Sequence, residues 1–206
     1  MTQTKEELMK KQLLKSTGWL YKDATISNER YTEKTYASQR LSGINFFKDK
    51  CENATVLDIG CAEGLISSQL AKYGASLIHG VEFQLQRLEE AEKLYGDFFK
   101  ENSISYKYTQ ENFEDTPLFM ERNKSWLRDE YDIILLLGVY HKIKQNEVDK
   151  LIGPFVQKAK KYIACRGKYT HFISKYLAKK GFKLCHKHAP GGRTGQIYIF
   201  QRKQGK

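Results

Sequence analysis

The sequence has no apolar run approaching the roughly 18 residues that cross a membrane as a helix. Residues 1–15 are charged and predict a helix, not a cleaved leader. We therefore expect neither a transmembrane span nor a signal peptide. Cysteine is also scarce, and the four that occur show no pairing pattern: Cys51, Cys61, Cys165 and Cys185. This usage is typical of a reducing cytoplasm, where we place the protein.

Acidic residues are almost missing from the last third of the chain. Residues 141–206 carry 17 basic and 2 acidic side chains, a net charge of +15, although the whole chain carries only +11. Such a region predicts a positive surface that attracts a polyanion such as RNA, or an anionic substrate. Because most of these residues are lysine and not arginine, a solvated lysine-rich surface is the alternative.

The length and the apolar content predict one folded domain with an N-terminal extension. The chain has 206 residues, of which 40% are hydrophobic and 13% aromatic, enough to bury a core and too many for a disordered chain. Residues 1–50 read as a helical N-terminal cap and residues 51–206 as the main domain. A helix is predicted from Glu33 to Phe47.

The most informative stretch is a strand, a glycine turn and a helix. The apolar run Thr55–Ile59 predicts a strand buried on both faces. Gly60 and Gly64 frame the turn, and the next helix should run from Leu65 to Tyr73. This arrangement places backbone N–H groups at the carboxyl edge of a sheet, where α/β proteins bind nucleotides.

An acidic residue follows the next predicted strand, Ser76 to Val81. Glu82 stands roughly 20 positions after the turn, where a carboxylate can accept both hydroxyls of a ribose. The turn lacks both G-x-G-x-x-G and G-K-[ST], so neither a pyrophosphate nor a triphosphate is favoured. Further along, the run Ile133–Leu137 predicts the central strand, and a helix is predicted from Pro117 to Glu130.

Four segments together resemble motifs I to IV of the class I S-adenosylmethionine-dependent methyltransferases: VLDIGCAEG, GVEF, ENFED and YDIILLLGVYHKI. The resemblance extends from about Asn53 to the C terminus, with Ala62 where many members have glycine. It implies an enzyme with a Rossmann-like three-layer α/β sandwich and S-adenosylmethionine as its cofactor. The sheet would have seven mostly parallel strands, the last one antiparallel.

The resemblance also implies which residues contact the cofactor. Asp58 would order the glycine turn and contact the methionine moiety, Glu82 would bind the ribose, and Asn112 and Phe113 would contact the adenine. The complete expected set is Asp58, Gly60, Cys61, Ala62, Gly64, Glu82, Phe83, Asn112, Phe113, Leu137 and Gly138.

The acceptor side is less defined by the sequence. His141, just past the central strand, is the candidate general base, and Tyr140 accompanies it; the alternative is that this pair only shapes the pocket. Tyr31, Tyr36 and Arg40 are candidate lid residues of the N-terminal cap. The alternative is that the cap only packs on the edge of the sheet. The Gly-rich loop holding Arg193 could contact an anionic substrate or only connect a hairpin.

No metal site is expected. In a strand, His186 and His188 share one face while Cys185 points away, and no fourth ligand stands out.

The residues after the central strand also narrow the class of possible methyl acceptors. They are Gly138-Val139-Tyr140-His141, and not the Asn-Pro-Pro-Tyr that resembling enzymes use on exocyclic base amines. Our first hypothesis is methyl transfer to RNA or another anionic acceptor. The alternatives are a small-molecule or glycan O-methyltransferase and a non-catalytic binding protein with this fold.

Overall fold

The computed structural model describes residues 39–113, 115–139, 144–167, 170–189 and 195–203. Seven strands form one sheet: β1 Thr55–Ile59, β2 Leu77–Glu82, β3 Ser105–Gln110, β4 Tyr131–Leu137, β5 Ala159–Arg166, β6 Phe182–His188 and β7 Ile197–Arg202. The α-helices are α1 Leu65–Lys72, α2 Leu85–Glu101, α3 Thr116–Arg122, α4 Val148–Lys158 and α5 Thr170–Lys179. Two short 3-10 helices span Ile44–Phe47 and Gln145–Glu147.

The order of the strands across the sheet is β3-β2-β1-β4-β5-β7-β6. Strands β1 to β5 pair in parallel, whereas β7 is antiparallel to both β5 and β6. The predicted seven-stranded sheet with an antiparallel last strand is therefore confirmed. Its carboxyl edge, where β1 to β6 end and β7 begins, also carries the glycine turn.

The sheet lies between two helical layers, each with its own core. On one face Leu57, Ile134 and Leu136 pack with α3, α4 and α5. On the other face Val56, Ile133 and Leu135 pack with α1, α2 and the first 3-10 helix. Neighbouring residues of β1 and β4 thus enter opposite cores, which is why these strands are apolar at almost every position. Each fully buried side chain of this kind stabilises the fold by about 1.5–3 kcal/mol.

In its described part, the helix predicted from Glu33 to Phe47 is confirmed only at residues 39–41 and does not continue to Phe47. Residues 39–41 are helical, but Gly43 takes a φ of 82°, and a separate 3-10 helix follows. A Cβ on Gly43 would lie 2.3 Å from Cγ2 of Ile197, so the chain turns here to pack against β7. Ile44 and Phe47 are nevertheless fully buried, as the apolar stripe predicted.

The helix predicted from Pro117 to Glu130 is shorter than expected. It ends at Arg122 because Asn123 caps it: the Asn123 side-chain amide donates to the carbonyl of Phe119 at 2.8 Å. The indole of Trp126 donates to Asn123 Oδ1 at 2.8 Å, which holds the following residues in a compact turn.

None of the helices within the described ranges is long and apolar enough to cross a bilayer. All four cysteines are free thiols, and three of them are buried.

Candidate active site

The glycine turn is folded back onto the end of β2. The backbone N–H groups of Gly60 and Cys61 both donate to the carbonyl of Val81, at 2.7 and 3.0 Å. Ala62 and Gly64 then adopt φ values of 51° and 74°, and Gly64 begins α1. The turn thus lies at the carboxyl edge between β1 and β2.

Gly60 also brings the turn against the end of β4. A Cβ at this position would lie 2.1 Å from Cγ1 of Val139, and the ring of Phe113 is 3.7 Å away from the same point. Gly138, with a φ of 81°, donates its N–H to the carbonyl of Arg166 at 3.2 Å. Leu137, just before it, is partly buried against the core that contains α1.

Asp58 is a buried carboxylate beneath the turn. Its Oδ2 accepts a 2.6 Å hydrogen bond from the hydroxyl of Ser67 on α1. Burial raises the pKa of Asp58 to about 6, although the Ser67 hydrogen bond and the charge of Arg40 act to lower it, and the charge of Glu82 raises it further. A carboxylate in this setting gains most from a cationic group placed beside it.

Glu82 ends β2 and is tied to the turn. Its Oε2 accepts from the N–H of Ala62 at 3.1 Å, and its Oε1 accepts from the N–H of Gln84 at 3.1 Å. The first bond fixes Ala62 in its left-handed conformation, which costs about 1–2 kcal/mol for a non-glycine residue. Each carboxylate oxygen keeps a second lone pair, so both can still accept from a hydroxyl.

Two aromatic side chains flank this region. Phe83 directly follows Glu82, and its ring is 60% exposed, whereas Phe113 is partly buried against the core. The side-chain amide of Gln110 donates to the carbonyl of Phe83 at 3.3 Å, and Asn112 donates its N–H to Glu111 Oε1 at 3.0 Å. The residue that follows Glu82 at the end of β2 is therefore an exposed aromatic ring.

Cys61 shapes the turn through its backbone N–H, and its thiol is not suited to act as a nucleophile. Its side chain is 2% exposed, and burial raises the pKa of the Cys61 thiol well above its ordinary value, with the charges of Asp58 and Glu82 acting in the same direction. A thiol that stays protonated is a poor nucleophile.

Arg40 enters the site from the N-terminal side. Its Nη1 donates to Oε2 of Glu63 at 3.0 Å, and Glu63 lies within the glycine turn itself. The sequence did not predict a role for Glu63, because an acidic residue in a turn is typical of a solvated surface. In the structure Glu63 is buried and pairs with Arg40, a residue 23 positions away.

Five candidate residues lie outside the described residues: Tyr31, Tyr36, Tyr140, His141 and Arg193. Within the part of the chain that the structure covers, no group of three or more His, Cys, Asp or Glu side chains is placed to hold a metal ion.

The sequence comparisons give partial matches. No protein-family model matches the chain. It is 32% identical over 99 residues to the ubiquinone biosynthesis O-methyltransferase of Actinobacillus pleuropneumoniae. It is 31% identical over 93 residues to the tRNA1(Val) (adenine(37)-N6)-methyltransferase of Yersinia enterocolitica. These matches cover 48% and 44% of this chain, and the chain spans 36% of the length of each of these curated relatives.

A solved structure resembles the chain over its whole length. The magnesium protoporphyrin IX methyltransferase of Synechocystis PCC 6803 with bound S-adenosylmethionine has a TM-score of 0.66 at 16% identity. The match covers 98% of this chain and 99% of that one. A likeness that includes nearly all of both chains shows that this protein has the class I S-adenosylmethionine-dependent methyltransferase fold.

Proposed function

We propose that the chain is an S-adenosylmethionine-dependent methyltransferase. The observation that carries this proposal is Glu82, a carboxylate only 7% exposed that is bonded to the glycine turn and stands next to the exposed ring of Phe83. A ligand with ribose hydroxyls and a flat base satisfies both features at once. A dinucleotide would need the glycine pattern that this turn lacks.

The neighbouring residues fit the rest of that cofactor. The carboxylate of Asp58 suits a cationic methionine moiety. Asn112 and Phe113 remain proposed contacts of the adenine. When bound, S-adenosylmethionine would supply a methyl group on a sulfonium leaving group, so the protein has mainly to orient the acceptor and exclude water.

The proposed binding of the cofactor is tested by calorimetric titration with S-adenosylhomocysteine. We expect the wild-type protein to bind it and Glu82→Gln to bind at least tenfold more weakly, because the amide cannot accept at both positions. Glu92→Gln is the matched control, since Glu92 is a half-exposed glutamate on the neighbouring helix α2. Wild-type protein without affinity, or Glu82→Gln with unchanged affinity, would contradict the proposal.

We further propose that the acceptor is RNA or another anionic molecule. Residues 150–206 contain no acidic side chain at all. Strand β6 is one edge of the sheet, and along it Lys183, Lys187 and His188 are exposed. Neither of these lysines forms an ion pair with any acid among the described residues. Positive charge that is not neutralised internally remains available for phosphates.

The same edge carries stacked rings. Phe46 and His186 are stacked with their centroids 5.0 Å apart, and His186 and His188 are parallel within 4°. Lys50 lies 4.5 Å above the Phe46 ring. We call Lys50, Lys183, His186, Lys187 and His188 the β6 rim. The rim ends at the carboxyl edge, so an anionic chain bound along it would lead toward the proposed methyl-transfer site.

One observation favours a second candidate, an O-methyltransferase acting on a small-molecule or glycan hydroxyl. A curated relative named for ubiquinone biosynthesis matches about as well as the one named for tRNA. The absence of Asn-Pro-Pro-Tyr after β4 also disfavours transfer to an exocyclic base amine, so a hydroxyl acceptor fits either candidate.

A labelling experiment separates these acceptors. Methyl-labelled S-adenosylmethionine is added to the protein with a whole-cell extract, and the labelled material is analysed before and after ribonuclease. We expect ribonuclease-sensitive label that falls steeply with salt and with the double variant Lys183→Gln/Lys187→Gln. The control is Lys93→Gln/Lys100→Gln on α2, which packs on β2 and β3 near the opposite edge of the sheet. Low-mass, ribonuclease-resistant label would support the O-methyltransferase, and cofactor binding without label would support a non-catalytic binding protein.

The remaining acceptor-side assignments stay proposals. His141, with Tyr140, would act as a general base, and its loss would then lower turnover by about 10²–10⁴-fold without changing S-adenosylhomocysteine affinity. Tyr31, Tyr36 and Arg193 would contact the acceptor, with residues 1–50 as a cap over the domain formed by 51–206.

A further inference from the structure

Glu63 is a completely buried carboxylate in the middle of the glycine turn. Its side chain is 0% exposed, and it lies between Ala62 and the first residue of the α1 cap, Gly64. A buried carboxylate is costly unless charged or hydrogen-bonding groups compensate it. The compensation here comes from two arginines that are distant in the sequence.

The two arginines belong to different segments. Arg40, on the helical turn at 39–41, donates from Nη1 to Glu63 Oε2 at 3.0 Å. Arg87, in the first turn of α2, has its Nε 3.7 Å from Glu63 Oε1, an oxygen that is buried and accepts no hydrogen bond. Glu63 thereby connects the N-terminal segment, the glycine turn and the helix that begins just after Phe83.

The N-terminal segment is fastened at a second point. Arg166, the last residue of β5, donates from Nη1 and Nη2 to the carbonyls of Arg40 and Ser42 at 2.9 and 3.0 Å. The hydroxyl of Ser42 lies 2.5 Å from Nε2 of His188 at the end of β6. Residues 40–42 therefore cross the carboxyl edge from the glycine turn to β6.

The pairing bears directly on the strained part of the turn. Ala62, with its positive φ, is held on one side by Glu82, and its neighbour Glu63 is held on the other by Arg40. A strained backbone conformation persists only where its surroundings fix it. If the Arg40 contact is lost, one constraint on the turn disappears, while the hydrogen bonds to Glu82 and Val81 and the Arg87 contact remain.

We propose that Glu63 is a positioning residue that couples the N-terminal segment to the glycine turn, so that the turn keeps its cofactor-binding shape only while Arg40 is docked. The assignment of the cofactor rests on the proposed function. Glu63 touches no reacting atom; it acts through the backbone of the turn and through Arg40. If the pair were merely structural, its loss would lower thermal stability and leave the affinity of the folded protein for S-adenosylhomocysteine unchanged.

The test compares Glu63→Gln, Arg40→Gln, Arg40→Lys and the double variant Glu63→Gln/Arg40→Gln. Two quantities are measured: the S-adenosylhomocysteine dissociation constant and, without any cofactor, the amide hydrogen exchange of residues 60–66. The control for loss of an ordinary ion pair is Glu92→Gln, which breaks an exposed contact with Lys100.

We expect Glu63→Gln and Arg40→Gln each to weaken binding about tenfold and to speed exchange in the turn. The double variant should be no worse than Glu63→Gln alone, because Arg40 acts on the turn through Glu63, whereas Glu63→Gln also weakens the Arg87 contact. Arg40→Lys should retain most of the affinity. Should Glu63→Gln fail to fold, the Arg40 variants decide the matter, since the Arg40 side chain is 13% exposed and that of Glu63 is 0% exposed.

Unchanged affinity and unchanged exchange in folded variants would overturn the inference, and so would losses that multiply in the double variant. Wild-type protein without affinity for S-adenosylhomocysteine would instead overturn the proposed function. The exchange measurement needs no cofactor, so it would still decide whether Glu63 fastens the turn.

Discussion

Gly60 occupies a position that no side chain can share. Its φ is 75°, and a Cβ would collide with Cγ1 of Val139 at 2.1 Å. The resemblance to a known motif predicts a glycine here, but not the contact that requires it. That contact joins the turn after β1 to the end of β4, the two places where the cofactor and the acceptor are proposed to meet.

Replacing Gly60 by alanine should therefore damage both the site and the fold. We expect Gly60→Ala to destabilise the protein by about 2–4 kcal/mol, from the left-handed backbone and the overpacked contact together. Affinity for S-adenosylhomocysteine should fall at least tenfold. Gly181→Ala is the control, because Gly181 has a φ of 86° with nothing within 4 Å of a Cβ, and it should cost only about 1–2 kcal/mol. Urea denaturation and calorimetric titration measure both effects.

A second substitution separates the two causes. Val139→Ala removes the methyl group that a Cβ on Gly60 would meet, so Gly60→Ala/Val139→Ala should recover part of the lost affinity. If the double variant binds as weakly as Gly60→Ala, backbone strain and not the Val139 contact limits this position.

At the scale of elements, the loop after β3 is held by one carboxylate. Glu111 accepts from Arg122 Nη2 at 2.6 Å, from the N–H of Asn112 at 3.0 Å and from the Asn123 side chain at 3.3 Å. It thereby links the loop that carries Asn112 and Phe113 to the end of α3. The proposed adenine contacts are thus positioned in part by the end of α3.

We expect Glu111→Gln to loosen this loop with little effect on the fold. The Arg122 guanidinium is half exposed, so the pair itself is worth about 0.2–1 kcal/mol, and overall stability should change by no more than that order. Affinities for adenosine and for S-adenosylhomocysteine should fall by the same factor, about three- to tenfold, because only the adenine end is affected. Equal affinity of wild type and variant for adenosine would show that the loop does not contact the base.

The elements differ in how well the sequence predicted them. Strand β4 was predictable because a strand buried on both faces is apolar throughout, whatever it packs against. The end of α3 was not, since the Asn123 cap depends on Glu111 and Trp126, which the helical period does not reveal. The break at Gly43 likewise arises from contact with Ile197, a residue at the other end of the chain.

For the molecule as a whole, two buried groups respond to pH in opposite directions. Burial, with the charges of Lys107 and Arg128, lowers the pKa of His79 to about 4, and its Nδ1 lies 2.7 Å from the hydroxyl of Tyr131. Protonation of His79 therefore favours unfolding, and stability is gained as pH rises from about 4 to 6.5. Burial raises the pKa of Asp58 from 3.8 to about 6. The ionisation of Asp58 therefore lowers the stability of the protein as pH rises through that interval.

The two effects should nearly cancel in the wild type and separate in variants. Relative to wild type, the stability of Asp58→Asn should increase by about 2 kcal/mol from pH 4 to 6, because the cost of ionising Asp58 is removed. The stability of His79→Phe should decrease by about 3 kcal/mol, relative to wild type, from pH 4 to 6.5. Urea denaturation without cofactor measures both. Variant curves that run parallel to the wild-type curve would show that neither group titrates in this interval.

The proposed site was predictable where its chemistry is local. Asp58 and Glu82 each end a buried strand, and parallel strands that end together bring such residues to one edge. The partners that hold them were not predictable from the sequence, because Glu63, Arg40 and Arg166 come together only through the fold. The charge of the last third was evident from composition, but its location along β6 required the order of the strands.

The crossing of residues 40–42 over the carboxyl edge also sets an order of assembly. Their partners Arg166 and His188 lie 126 and 146 residues further along the chain. During synthesis the segment around Arg40 leaves the ribosome well before Arg166 and His188, so two of the residues that hold it in place are made much later. The contacts of residues 40–42 are therefore complete only after β5 and β6 have been made, and a chain that ended before β6 would keep the contacts with Glu63 and Arg166 but lose the one with His188.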